Sequence, residues 1–164
     1  MVGGDKPAFE NNKEILEFIG KNIIYCGDNG LGLADKMANN LIASAQMVAI
    51  FEAMCLAIKA GIDPDALYEV LKPATANSII LNMKVPAYLK NNYDPGFKLA
   101  LMCKDLNIVT NVAKRLGTPP TLVGSLVEQV YNMCKEEHGE KDSGDVSLYY
   151  QEQTGVSFTS KNNS

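Results

Sequence analysis

Residues 27–40 read GDNGLGLADKMANN. The stretch follows the apolar run NIIYC and opens onto helix-like sequence, so two architectures compete for it. One is the glycine loop that holds the pyrophosphate of a dinucleotide. It requires G-x-G-x-x-G inside a βαβ unit and an acidic residue about twenty positions on, at the end of a second strand. The other is a close backbone approach at the mouth of a long helix, which glycine permits because it has no Cβ. The third glycine position holds Asp35, and no strand follows. Ala34 to Ala60 contains neither Gly nor Pro, is rich in Ala, Met, Leu and Ile, and reads as one long helix apolar nearly all round. Glu52, the acidic residue at about the right distance, falls in mid-helix. The second architecture is favoured.

Upstream, MVGG resembles the end of a strand, and Asp5 with Pro7 opens a helix that carries Phe9, Ile15, Leu16, Phe18 and Ile19 before stopping at Gly20. NIIYC then reads as a short strand. Residues 1–28 are thus expected to be a strand-helix-strand remnant of a larger α/β domain, since a lone parallel pair leaves apolar faces and edges uncovered. Downstream, the pattern is helical. Asp63-Pro64 supplies an N-cap and a first-turn proline for a helix to Lys72. Residues 73–96 are expected as short helices broken by turns. Phe97 to Leu116 reads as an amphipathic helix closed by Gly117. Pro119-Pro120 opens another, Thr121 to Glu137, and Asp145 is placed to cap a last helix, VSLYYQEQ. The expected fold is mainly α: a multi-helical domain over 29–153 with one long central helix, followed by a frayed tail, 154–164.

Composition narrows the function classes. The chain has 164 residues, 46% hydrophobic and 21% charged, with a formal net charge of -4 and no cluster of Lys and Arg, which argues against nucleic-acid binding. Ser44, Gln46 and Glu52 interrupt the apolar stretch Leu41–Ile58, so it reads as a buried helix rather than a membrane span. No signal peptide is recognisable at Met1. Cys26, Cys55, Cys103 and Cys134 lack metal-ligand spacing and read as buried reduced thiols. His138, in the charged run KEEHGEKD, reads as part of a solvated helix end. No metal site is expected.

The chemistry sits just after the glycines. Lys36, Asn39 and Asn40, at spacings of three and four, put an ammonium and two carboxamides on one helical face, and Ser44 continues the stripe. A solvated surface remains an alternative. Polar groups at the first turns of an otherwise apolar helix must nevertheless find partners if buried.

MVGGD, NIIYCGDNGLGLADKMANN, AIKAGIDPDALYEVL and GFKLALMCKDLNIVTNVAKRLGTPPTL together resemble the β-hydroxyacid dehydrogenases, the 3-hydroxyisobutyrate dehydrogenase group in particular. The resemblance runs from residue 1 to about 153, and G-x-G-x-x-x-K-x-x-N-N with F-x(6)-K-D is specific as a pair. It implies a two-domain enzyme whose Rossmann domain binds NAD or NADP and whose helical C-terminal domain supplies a catalytic lysine and oligomer contacts. Residues 1–28 would then be a remnant of that NAD(P)-binding domain. Lys36 corresponds to the catalytic lysine, Asn40 to the residue that orients the substrate, and Asn39 matches with a less defined role. Lys104 corresponds to a lysine that reaches the cofactor, with Phe97 and Asp105 around the nicotinamide and substrate. The implied substrate is a small 3-hydroxy acid such as 3-hydroxyisobutyrate, in a homodimer or homotetramer of the cytoplasm or mitochondrial matrix. A reductase of glyoxylate, succinic semialdehyde or tartronate semialdehyde fits the same residues, as does a non-catalytic helical dimerisation module. Residues 77–84 and the cofactor domain are expected to carry the discrimination.

Overall fold

The computed structural model describes residues 1–94, 96–118 and 123–160. It begins with two short strands, β1 (Val2–Gly3) and β2 (Tyr25–Gly27), paired in parallel, Val2 opposite Tyr25 and Gly3 opposite Gly27. Between them lie α1 (Lys6–Asn11) and α2 (Lys13–Glu17). Asp5 caps α1 by accepting from the Ala8 amide at 2.9 Å, as its sequence position indicates. The expected single helix is broken at Asn12, whose amide reaches back to the Ala8 and Phe9 carbonyls.

The helical body follows: α3 (Leu31–Lys59), α4 (Pro64–Leu71), α5 (Ile79–Leu89), α6 (Leu99–Arg115), α7 (Val123–His138) and α8 (Val146–Thr154), with a 3-10 turn, Ser143–Asp145, before α8. Among the described residues α3 alone is long and apolar enough to cross a membrane by length and composition. Here it is the spine of the fold. It packs against β1, β2 and helices α4 to α8. Ser44, Met47, Phe51, Met54 and Cys55 form its buried stripe. Its opposite face is less enclosed than the sequence indicates: Ile42, Ala49, Ala53 and Leu56, at spacings of seven, four and three, are exposed.

Local chemistry sets the boundaries. α3 starts three residues before Ala34 because Gly30, at φ +91°, takes the N-cap position in a left-handed conformation. The glycines on either side of the seam serve close approach. A Cβ on Gly32 would stand 2.9 Å from the Gly3 amide nitrogen, and one on Gly3 would stand 2.7 Å from the Gly32 nitrogen. The group that approaches the mouth of the long helix is therefore the backbone of β1. Asp63 caps α4 through the Asp65 and Ala66 amides, at 3.1 and 3.3 Å. Ser78 caps α5 through the Leu81 amide at 3.0 Å. α5 runs through Pro86 as one helix, where the sequence suggested shorter pieces.

Three further expectations are corrected. Residues 155–160 are not a frayed tail: Phe158 is fully buried, its ring 5.9 Å from that of Phe51, and the Ser160 amide donates to the Leu89 carbonyl at 2.8 Å. His138 is buried rather than solvated, because α8 packs over the end of α7. Asp145 stands at the N-cap position of α8 but makes no side-chain cap; Asp142 caps the preceding turn instead, accepting from the Gly144 amide at 2.8 Å. Cys55, Cys103 and Cys134 are buried and Cys26 half-buried, all free thiols. Pro119, Pro120 and Thr121, expected to open α7, lie outside the described residues, as does the end of the tail.

Candidate functional site

Lys36 and Asn40 stand one turn apart on α3 and share a face. Against that face α6 brings Asp105, which is buried. Lys36 Nζ lies 3.0 Å from Asp105 Oδ2, and Asn40 Nδ2 donates to the same oxygen at 3.0 Å. Lys104 Nζ lies 3.4 Å from Asp105 Oδ1. One carboxylate thus gathers two ammonium groups and a carboxamide. Burial acts to raise the Asp105 pKa. The hydrogen bond and charge of Lys36, then Lys104, outweigh it and hold the carboxyl below the usual carboxylate range. The hub is an anion, and both partners on α3 are anchored to one of its oxygens.

Asn39 reaches the hub indirectly, its Nδ2 3.4 Å from Asn40 Oδ1. Ser44 continues the stripe inward by donating to the Asn40 carbonyl at 2.7 Å. Around Lys36, Met37, Asn40 and Asp105 is a hollow of about 20 Å³, room for about one water. Next to it opens a cleft of about 340 Å³ between α3, α5 and the start of α6, lined by Lys36, Asn39, Asn40, Lys84, Phe97 and Ser143 among others. That volume suits a small ligand. A wider hollow of about 650 Å³ between α3, α7 and α8 holds none of the residues singled out for chemistry, so size alone does not mark the site.

The far wall of the cleft holds a second ionic cluster, which reading by motif passed over. Asp142 is buried, pairs with Lys84, and accepts from the Gly96 and Phe97 amides at 2.9 and 3.3 Å. Burial acts to raise its pKa too. The Lys84 hydrogen bond and the Gly144 amide lead the groups that outweigh burial and leave the carboxyl lowered. The same segment satisfies the start of α6: the Leu99 and Ala100 amides donate to the Lys141 and Gly139 carbonyls, each at 3.0 Å. Its sequence signal is the turn KDSGD, where one aspartate can accept several backbone amides. Lys84 gives a weaker one, a charge inside the apolar run NMKVPAY.

The structure therefore brings Lys36, Asn39, Asn40, Asp105 and Phe97 to one cleft and its border, with Lys104 bound to the outer oxygen of the hub. Such a site can position a polar substrate beside a proton-carrying amine. Phe97 offers a partly exposed ring and Lys104 an exposed ammonium.

These features define a class: a helical domain that presents a lysine-asparagine pair, tied to a buried aspartate, at the edge of a cleft. Residues 30–150 match the family described as NAD-binding of NADP-dependent 3-hydroxyisobutyrate dehydrogenase, and the chain belongs to that family. The mitochondrial 3-hydroxyisobutyrate dehydrogenase of Mus musculus is 36% identical over 161 residues, covering 93% of this chain and 48% of the relative. The 2-hydroxy-3-oxopropionate reductase of Escherichia coli is 38% identical over 143 residues, covering 86% of this chain and 48% of the relative. Among solved structures, a Mycobacterium tuberculosis 3-hydroxyisobutyrate dehydrogenase with L-serine superimposes with a TM-score of 0.84 at 31% identity, covering 91% of this chain and 53% of that one. The chain spans about half the length of the relatives it matches.

Proposed function

We propose that this chain is the helical catalytic part of an NAD(P)-dependent oxidoreductase acting on a small 3-hydroxy acid such as 3-hydroxyisobutyrate, with Lys36 as general acid/base. The observation that supports it above all is the convergence of Lys36 and Asn40 on one Asp105 oxygen at the rim of the cleft. In the oxidative direction the substrate hydroxyl gives its proton to the Lys36 amine; in the reductive direction the Lys36 ammonium returns one to the carbonyl oxygen. The nicotinamide, when bound, takes up or supplies the hydride. Asn40 cannot titrate, so it orients the reacting oxygen, with Asn39 beside it. Asp105 serves the substrate through these two side chains, holding the amine and the amide in fixed relation. With the cofactor bound, Phe97 would border the nicotinamide and Lys104 would reach the cofactor, while GDNGLGLAD, which lacks the features of a phosphate cradle, would not grip the dinucleotide phosphates.

The test uses the full-length protein containing this chain. Lys36→Ala lowers kcat by about 10²–10⁴-fold with the fold intact. Near-wild-type turnover on every hydroxy acid tried overturns the reading. Reduction of glyoxylate, succinic semialdehyde or tartronate semialdehyde is the alternative direction, and a substrate panel on the same protein separates the two.

A second reading, that the helical body also joins copies of the chain into a dimer or tetramer, is favoured by the exposed apolar stripe Ile42, Ala49, Ala53 and Leu56 on α3. Light scattering at high micromolar concentration tests it; a clean monomer counts against it.

A further inference from the structure

We infer that Glu137, His138 and Glu152 form a binding site for a divalent transition-metal ion of the zinc type, which clips the end of α7 to α8. The site lies apart from the cleft and does not depend on the proposed reaction. His138 is more than nine-tenths buried, and neither ring nitrogen has a hydrogen-bond partner among the described residues. Native folds seldom leave such a group unsatisfied, so one that does calls for a partner. The imidazole is aimed at two carboxylates: Nε2 lies 3.7 Å from Glu152 Oε1 and 3.9 Å from Glu137 Oε2. Both distances are too long for hydrogen bonds. They are close to what a shared ion requires, because bonds of about 2.0–2.2 Å in tetrahedral geometry set ligand atoms about 3.3–3.6 Å apart.

The three donor atoms already lie within 4.8 Å of one another. Closing onto an ion moves only the two exposed glutamates, while the buried imidazole stays fixed. Two carboxylates balance a double positive charge, and an imidazole nitrogen in the set selects zinc-like ions over magnesium or calcium. Three protein ligands leave the fourth position to water. The ligands also bracket residues 139–151, the segment that carries Asp142 and Ser143 to the wall of the cleft and satisfies the start of α6. An ion here holds both ends of that segment.

Zinc chloride titrated calorimetrically into the full chain, with Cys26→Ser to remove the one partly exposed thiol, should show one ion per chain and raise Tm. Cobalt(II) should give the visible absorption of a four-coordinate nitrogen-oxygen site. Glu152→Gln, at an exposed position that leaves the core untouched, should weaken binding at least about tenfold; His138→Gln should do the same if it folds. Absence of saturable binding up to about 1 mM zinc overturns the inference. So does an affinity unchanged by Glu152→Gln.

Discussion

In the helical body Phe51, Tyr88 and Phe158 pack ring against ring out of water, whereas in the unit of residues 1–28 Phe18 and Ile19 are 93% and 82% exposed. Phe9, tilted against Tyr25 at 5.1 Å, is the only buried apolar side chain described in that unit. Its attachment is mostly backbone: the Val2 amide donates to Ile24 and the Gly4 amide to Gly27, both at 2.9 Å, and β1 lies on the first turn of α3 with glycine facing glycine. A two-stranded pair with so little burial is marginal by itself. The two regions are held by different forces, side-chain burial in one and backbone contact in the other, and should fail under different substitutions.

The largest effect belongs to the body. Phe158→Ala removes a fully buried ring, and about 3–5 kcal/mol should be lost in chemical denaturation. A change under about 1 kcal/mol would mean that the tail is dispensable to the core. Gly32→Ala, which drives a methyl into the β1 backbone, should weaken the attachment of residues 1–28, and not the helical body, by about 1–3 kcal/mol despite the better helix propensity of alanine. The loss should be local: the Val2 and Gly4 amides should exchange faster while Tm moves little. Unchanged protection of those amides would show that the seam does not hold the unit.

Asp145 tests the body's own polar cost. Burial, then the nearby Asp142 carboxylate, push its pKa up from 3.8 to about 6. A raised folded value favours the protonated form in the fold, so its contribution is fully present below about pH 3.8 and is lost as pH rises through 6. Asp145→Asn should therefore stabilise the protein by about 1–2 kcal/mol at pH 8, solvent screening included, and should not do so at pH 4. Equal gains at both pH values would assign the effect to something other than ionisation. Smallest of all, Phe18→Ser should shift stability by no more than about 0.5 kcal/mol, as an exposed position does; a larger loss would mean that this ring is covered in solution.

Legibility in the sequence followed the range of the interaction. Asp5, Asp63 and Ser78 lie two or three residues from the amides they cap; residue order alone marks the first two, while it shows the helix that Ser78 opens only as pieces. Lys36 and Asn40 were placed on one face by spacing alone. The meeting of Asn40 with Asp105 spans 65 positions, that of Lys36 is longer still, and no local pattern signals either; resemblance to a known family links these residues. The burial of His138 was hidden because its neighbours in sequence are charged, while the helix that covers it, α8, arrives later in the chain. Phe158 misled in the same way, a single ring in a polar tail. The glycines of GLGLAD permit a close approach, but the identity of the visitor, β1, depends on a pairing that no helical periodicity records.

That glycine contact also bears on how the protein can vary. A lost ion pair at Asp105 admits repair, since another donor or acceptor nearby can restore a partner. Methyls at positions 3 and 32 admit none, because each would meet main-chain atoms, 2.7 Å from the Gly32 nitrogen and 2.9 Å from the Gly3 nitrogen, which no second substitution can shrink. In a library randomised at both positions, the pair should return as glycine together, with no compensating combination among the survivors.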